Sequence, residues 1–149
     1  KPKSKNEHII NKYMKNQIIV DGILSMLICV FFLKSNIIKQ IYCYNLTDKY
    51  LLTAFFGLFI FLDIFIAFNS RTHRLNILSN LKKNKVFLLI FIIISIVQII
   101  LIYYGGELFR TTGLTIYEFE IMIFFAFLII PIDIVRKLTL KKRNEQRTF

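Results

Sequence analysis

The longest apolar run in this chain covers residues 86–104, where only Ser95 and Gln98 are clearly polar. With a rise of about 1.5 Å per residue, a helix of about 20 such residues crosses the hydrocarbon core of a bilayer, which is roughly 30 Å thick. A buried helix of a soluble protein rarely lacks a polar face over this length. The run therefore predicts a transmembrane helix.

Three further blocks have the same character. Between residues 51 and 68, 13 Leu, Ile and Phe residues outweigh the single Asp63, so this block should insert as well. We predict an all-α fold, a membrane-spanning bundle of four transmembrane helices. The predicted segments are a cytoplasmic or interfacial segment at 1–16, a transmembrane domain at 17–135 with spans at about 17–33, 50–68, 86–104 and 117–135, and a basic cytoplasmic tail at 136–149.

Lysine and arginine residues are distributed unevenly around these spans. Sixteen lie in the N-terminal segment, in the connection between the second and third spans and in the C-terminal tail, whereas four lie in the other two connections. Because cytoplasmic segments of membrane proteins carry the excess of Lys and Arg, the asymmetry predicts that both termini are cytoplasmic.

The net charge of +11 could suggest a nucleic-acid partner. The basic residues flank the apolar blocks and form no separate unit, so we expect no nucleic acid and identify the lipid bilayer as the partner.

Two cysteines are too few for a disulfide framework or a zinc site. No arrangement typical of a catalytic site is present, so we expect no catalytic residue and no cofactor in this chain.

Asp63 is the most informative polar residue. A carboxylate inside a transmembrane helix is costly, and it indicates an ion or proton pathway or a buried pair. We therefore treat Asp63 as a candidate cation ligand. The alternative is a structural hydrogen bond to another span, with Gln98 as one possible partner. Ala67 and Ser70 continue the same side of the helix and are small enough to admit a neighbouring helix.

Asp133 is better explained by structure than by chemistry. Arg136 and Lys137 follow it at i+3 and i+4, where their cations can pair with it along a helix. Pro131 removes a backbone donor and should kink the helix or free a carbonyl. Gln98, in mid-membrane, needs a hydrogen-bond partner and should join two helices.

Two other acidic residues are expected near the membrane surfaces. Asp21 lies about one turn inside the first predicted span and should reach the interface. Glu120 is close enough to the opposite surface to be solvated. Neither is expected to carry a function.

Several short motifs occur in a fixed order along the chain. They are KPK at 1–3, DIFIAFNSR at 63–71, GGELF at 105–109 and PIDIVRKL at 131–138. Their order and spacing resemble the seventh to tenth membrane helices of type II P-type cation-transporting ATPases, in particular those of bacterial calcium pumps.

The resemblance implies a region that buttresses the ion pathway of an ATP-driven pump and supplies one ion ligand. Asp63 matches the eighth-helix ligand of the family, and Asn69 matches an Asn six residues further on, which we take as structural. Calcium or another cation would be the transported ion, and ATP and magnesium would bind only in the parent protein. The implied partners are upstream membrane helices of the same pump, and the implied location is a bacterial plasma membrane.

A free-standing four-span protein, acting as a channel subunit or membrane scaffold, is the alternative from a different class. The chain begins with Lys1 and not with Met, which favours a piece of a longer protein. No phosphorylation or ATP site is recognisable, so we expect the chain alone to have no ATPase activity.

The predicted orientation can be tested by thiol labelling. An impermeant thiol reagent applied to intact cells should label Cys43, in an external connection, and spare Cys29, inside the first span. Protection of Cys43 until the membrane is opened would overturn the orientation.

Overall fold

The computed structural model describes residues 12–43, 48–71 and 84–145, and within these ranges it contains helices and no strand. The prediction of an all-α chain is confirmed. The helices are α1 Lys12–Lys34, α2 Asn36–Tyr42, α3 Lys49–Ser70, α4 Lys85–Tyr104, α5 Gly106–Phe109, α6 Ile116–Phe127 and α7 Ile129–Glu145. Most of the N-terminal segment predicted at 1–16, part of the basic connection between α3 and α4, and the last four residues of the tail lie outside the described residues.

Three of these helices, α1, α3 and α4, are long and apolar enough to cross a membrane. In each of them every backbone donor beyond the first turn can be satisfied within the helix, which is the condition for crossing hydrocarbon. The region of the fourth predicted span is formed by α6 and α7 in succession.

The division between α6 and α7 has a local cause. Pro131 has no N–H to offer the carbonyl of Phe127, the last residue of α6. Leu128, between the two helices, keeps helical dihedral angles, with φ −56° and ψ −24°. The region of the fourth predicted span therefore stays helical through Leu128 but has an interrupted hydrogen-bond ladder, as the position of Pro131 predicts.

Helix α3 is the centre of the bundle. It packs against α1, α2, α4, α6 and α7. In the 18-residue apolar stretch of each helix, about 44% of the residues are buried in α3, against 17% in α1 and 11% in α4. Apart from Gln98 and Ile102, the residues of α4 lie largely on the outside of the bundle, where apolar side chains can face lipid or another helix.

Aromatic rings and one glycine bring the helices together. Phe61 of α3 packs edge-on against Phe119 of α6, with ring centroids 6.2 Å apart. At Gly57 an added Cβ would overlap Met122 Sδ and lie 3.0 Å from Ile102 Cδ1. The missing side chain at residue 57 thus leaves room for Met122 of α6 and Ile102 of α4 to pack against the backbone of α3.

The end of the bundle at which α6 begins is fixed by buried polar contacts. Thr115 and Glu118 form a capping box at the start of α6, in which the Thr115 N–H donates to Glu118 Oε2 at 2.7 Å. The Tyr42 hydroxyl donates to the Glu118 carbonyl at 2.6 Å. Burial, and next the charge of Glu118, raise the pKa of Tyr42, so its hydroxyl stays protonated and continues to donate.

Cys43, the orientation probe, lies beside Asp48, and its thiol donates to Asp48 Oδ1 at 3.5 Å. Burial and then the Asp48 carboxylate raise the pKa of the Cys43 thiol. Since the thiolate is the reactive form, labelling of Cys43 should be slow at neutral pH and should still accelerate as the pH rises above the usual thiol range.

The packing at Gly57 gives a prediction of stability. Gly57→Val should lower the free energy of unfolding by about 1–3 kcal/mol, because the new side chain forces Met122 and Ile102 out of place. The measurement is thermal unfolding in detergent, followed by the reaction of Cys29 with a thiol-reactive dye. Gly22→Val is the matched control, since a Cβ at Gly22 meets nothing within 4 Å. Equal midpoints for the two variants would contradict the packing explanation.

Candidate functional site

Asp63 lies on a face of α3 that the rest of the described bundle leaves uncovered. It is seven residues before Ser70, the last residue of α3, which is roughly 10 Å along the helix. Asp63, Ile66 and Ser70 line one wall of a cavity between α3 and α1. Among the described residues the Asp63 carboxylate has no hydrogen bond or ion pair, and in particular none with Gln98.

The opposite wall of this cavity comes from α1. The cavity has a volume of about 510 Å³, is partly open, and is also lined by Gln17, Asp21 and Ser25. Asp21 is only 3% exposed, although the sequence suggested that it would reach the interface. The reason is that α1 packs against both α3 and α7, and Asp21 lies close enough to α7 to interact with Arg136 and Lys137.

The end of the bundle near the C-terminus contains a buried ionic group. Asp133 is fully buried, and its Oδ1 lies 2.6 Å from Arg136 Nη2 while its Oδ2 lies 2.9 Å from Lys137 Nζ. Both ion pairs predicted from the i+3 and i+4 spacing are therefore present. The opposite charges of these two partners offset part of the cost of burying the Asp133 carboxylate.

This ionic group also connects α7 to α3. Lys137 Nζ donates to the Asn69 carbonyl at 2.9 Å, and Asn69 Nδ2 donates to the Ile129 carbonyl at 3.3 Å. Asn69 is fully buried and lies six residues after Asp63 on the same helix. The contacts therefore fix the end of α3 that carries Asp63.

The charges of the group extend towards the cavity. Asp133, Arg136 and Lys137 together carry a formal charge of +1, and all three act electrostatically on Asp21. If Asp21 is ionised, it offsets this excess. Asp63 is then the one carboxylate lining the cavity whose charge no described side chain balances.

Gln98 lies on the face of α4 that packs against α3, one turn before Ile102. It is 3% exposed, and its Nε2 has no hydrogen-bond partner among the described residues. Its role as a link between helices stays a prediction.

Sequence reasoning missed two features. Glu118, of which only 2% is exposed, was not singled out, although the Thr115-x-x-Glu118 spacing is a recognised signal for a helix start. Asp21 was noticed but assigned to the interface. Asp63, which lines the same cavity as Asp21, lies on another helix, so no local sequence pattern could have revealed that the two face each other.

The geometry thus defines an integral-membrane helical domain with an acidic cavity between two of its membrane helices. Within the described ranges, no group of three or more His, Cys, Asp or Glu side chains is placed to hold a metal ion. The two carboxylates could supply only part of the oxygen ligands that a hard cation needs.

The family model described as "Cation transporting ATPase, C-terminus" matches residues 1–139. The chain belongs to this family and is a membrane domain of a cation-transporting ATPase. Comparisons with curated proteins and with solved structures found no match. Membership in this family identifies the chain as an integral membrane protein.

The buried ionic group gives a second prediction of stability. Asp133→Asn should lower the free energy of unfolding by about 3–5 kcal/mol, because it leaves the charges of Arg136 and Lys137 uncompensated in a buried site. The yield of folded protein and the midpoint of thermal unfolding measure the effect. Glu120→Gln, the same change at an exposed position, should have little effect. Equal losses for both variants would show that the group contributes no special stability.

Proposed function

We propose that this chain is the C-terminal membrane domain of a type II P-type ATPase that transports calcium, and that Asp63 supplies one ligand to the transported ion. The observation that carries the proposal is the position of Asp63. Its carboxylate lies at membrane depth, lines a cavity, and has no charge or hydrogen-bond partner among the described residues.

The energetic cost of such a carboxylate supports a functional role. A charged group in hydrocarbon is unfavourable by several kcal/mol unless it is paired or reaches water, and acids at this depth commonly lie on ion pathways. Calcium prefers oxygen ligands, and a carboxylate also contributes the neutralising negative charge. A cation bound to Asp63 would therefore remove the cost of burying it.

The uncovered face of α3 indicates where the remaining ligands come from. Calcium takes about 6–8 oxygen ligands, more than the cavity can offer from Asp21 and Asp63. The cavity is partly open, so upstream membrane helices of the same pump can close it and add their own oxygen atoms. The exposed apolar side chains of α1 next to it, including Ile18 and Met26, give such helices a surface to pack on.

The rest of the domain would act as a support. The Asn69 contacts and the ion pairs of Asp133 hold α3 and α7 together at one end. Gly57 holds α3 against α4 and α6 nearer the other end. A ligand on a helix that is fixed at both ends keeps its geometry while other parts of a pump move.

Calcium and a bacterial plasma membrane follow from the resemblance of the motifs described above. The alternative, a free-standing channel subunit or scaffold, is less well supported, because the family match covers residues 1–139. In the proposed pump, ATP and magnesium bind to other parts of the parent protein.

The test of this proposal is Asp63→Asn in the intact ATPase. The change keeps the shape of the side chain but removes its charge, so the calcium concentration for half-maximal ATP hydrolysis should rise about tenfold. Because a ligating carboxylate must be ionised, the wild type should also require more calcium at low pH. ATP hydrolysis is measured over a calcium titration at two pH values.

Glu120→Gln serves as the matched control and should leave the calcium dependence unchanged. Asp133→Asn should lower the amount of folded pump more than its calcium affinity. If Asp63→Asn has the calcium dependence of the wild type, Asp63 is a structural residue and the proposed ligand role is wrong.

A further inference from the structure

The cavity between α1 and α3 contains a second carboxylate to which neither the family match nor the resemblance of the motifs assigns a role. Asp21 faces the same cavity as Asp63 from the neighbouring helix. Gln17, Ser25 and Ser70 complete its polar lining. A volume of about 510 Å³ is ample for one ion together with several water molecules.

Two of the lining groups each bury a polar atom that no hydrogen bond satisfies, although Gln17 and Asp21, one turn apart on α1, interact with each other. Asp21 is 3% exposed, and its Oδ1 has no hydrogen bond among the described residues. Gln17 is 5% exposed, and its Nε2 likewise has none. Buried polar atoms in this state are rare and costly, and the usual explanation is a ligand, water or ion that satisfies them.

The hydroxyl groups show which kind of ligand fits. Ser25 Oγ donates its proton to the Gly22 carbonyl at 3.1 Å, and Ser70 Oγ donates to the Ala67 carbonyl at 3.0 Å. A hydroxyl has one donor and two acceptor lone pairs, so both serines keep only acceptor capacity for the cavity. Together with the two carboxylates, they make a lining rich in acceptors. Such a lining suits a cation and repels an anion.

The surrounding charges agree with this assignment. From α7, the formal charge of +1 on Asp133, Arg136 and Lys137 acts on Asp21. With Asp21 and Asp63 both ionised, the whole group carries a charge of −1. A bound cation would neutralise it, whereas the empty arrangement leaves an uncompensated charge at membrane depth.

We propose that Asp21 and Asp63 bind one hard cation jointly, so that the cavity between α1 and α3 is a two-carboxylate cation site. The proposal rests on the proposed function, in which Asp63 alone is the ligand, and adds Asp21 as its partner on α1. The two serine hydroxyls and water supply further oxygen atoms. Gln17 can offer only its side-chain carbonyl oxygen to the ion, because its Nε2 is a donor and binds water or a carboxylate instead.

The experiment compares variants of the intact ATPase. The wild type is first titrated with Ca²⁺, Mn²⁺, Na⁺ and K⁺, and the variants are then studied with the cation that activates ATP hydrolysis. Asp21→Asn should raise the half-activating concentration about tenfold, as Asp63→Asn should, because each removes one charged ligand. Asp21→Glu keeps the charge and should recover part of the affinity.

The double variant tests whether the two carboxylates share one ion. Independent sites would multiply the single effects to about a hundredfold, whereas ligands of the same ion give a smaller combined effect. If the double variant raises the half-activating concentration by much less than about a hundredfold, the shared site is supported. A rise of about a hundredfold, or an unchanged half-activating concentration in Asp21→Asn, would overturn it.

Two further outcomes distinguish the shared site from a structural role of Asp21 and from a failure of the proposed function. If Asp21 only balances the charges of Arg136 and Lys137, Asp21→Asn will lower the midpoint of thermal unfolding and leave the cation dependence as it was. If Asp63→Asn has no effect on the cation dependence, or no cation activates the wild type, the proposed function itself fails. Glu120→Gln should change neither measurement.

Discussion

Because Gly57 has no side chain, α3 can approach α4 and α6 until Ile102 and Met122 lie against its backbone. The contact lies on the central helix of the bundle, since α3 also packs against α1, α2 and α7. Lipid provides no hydrophobic force between helices, so such close packing is a main source of association in a membrane. A helix held in this way can carry a carboxylate on its uncovered face without losing its position.

The buried charges near the end of α3 also connect helices of the bundle. Asp133 brings Arg136 and Lys137 to the end of α3, where Lys137 also contacts the Asn69 carbonyl. The two cations exceed the single anion, and Asp21 on α1 lies within their electrostatic reach. Three helices are thus related through one group of charges next to the cavity. The structural role of Asp133 and the proposed ligand role of Asp63 are in this sense connected, since Asn69 and Asp63 belong to the same helix.

Much of the fold could be predicted from the sequence. An apolar run such as 86–104 must form a helix in a membrane, because hydrocarbon offers its backbone groups no other hydrogen-bond partner. Pro131 lacks an N–H wherever it stands, so an interruption near Phe127 follows from residue type alone. The pairing of Asp133 with Arg136 and Lys137 is equally local, since helical spacing brings these side chains together. The family membership of the chain was accessible in the same way, through short motifs in a fixed order.

The arrangement of Asp21 and Asp63 is of a different kind. The sequence established that Asp63 is a carboxylate at membrane depth, but it left open whether Gln98 would pair with it. Only the packing of α1 and α3 decides that Asp63 lines a cavity and that Asp21 faces the same space. The physical reason is that residue spacing fixes the face of a helix a side chain occupies, whereas the contacts between helices fix what that face meets. The sequence by itself determined the helices and their charges, and the tertiary structure decided which charges became neighbours.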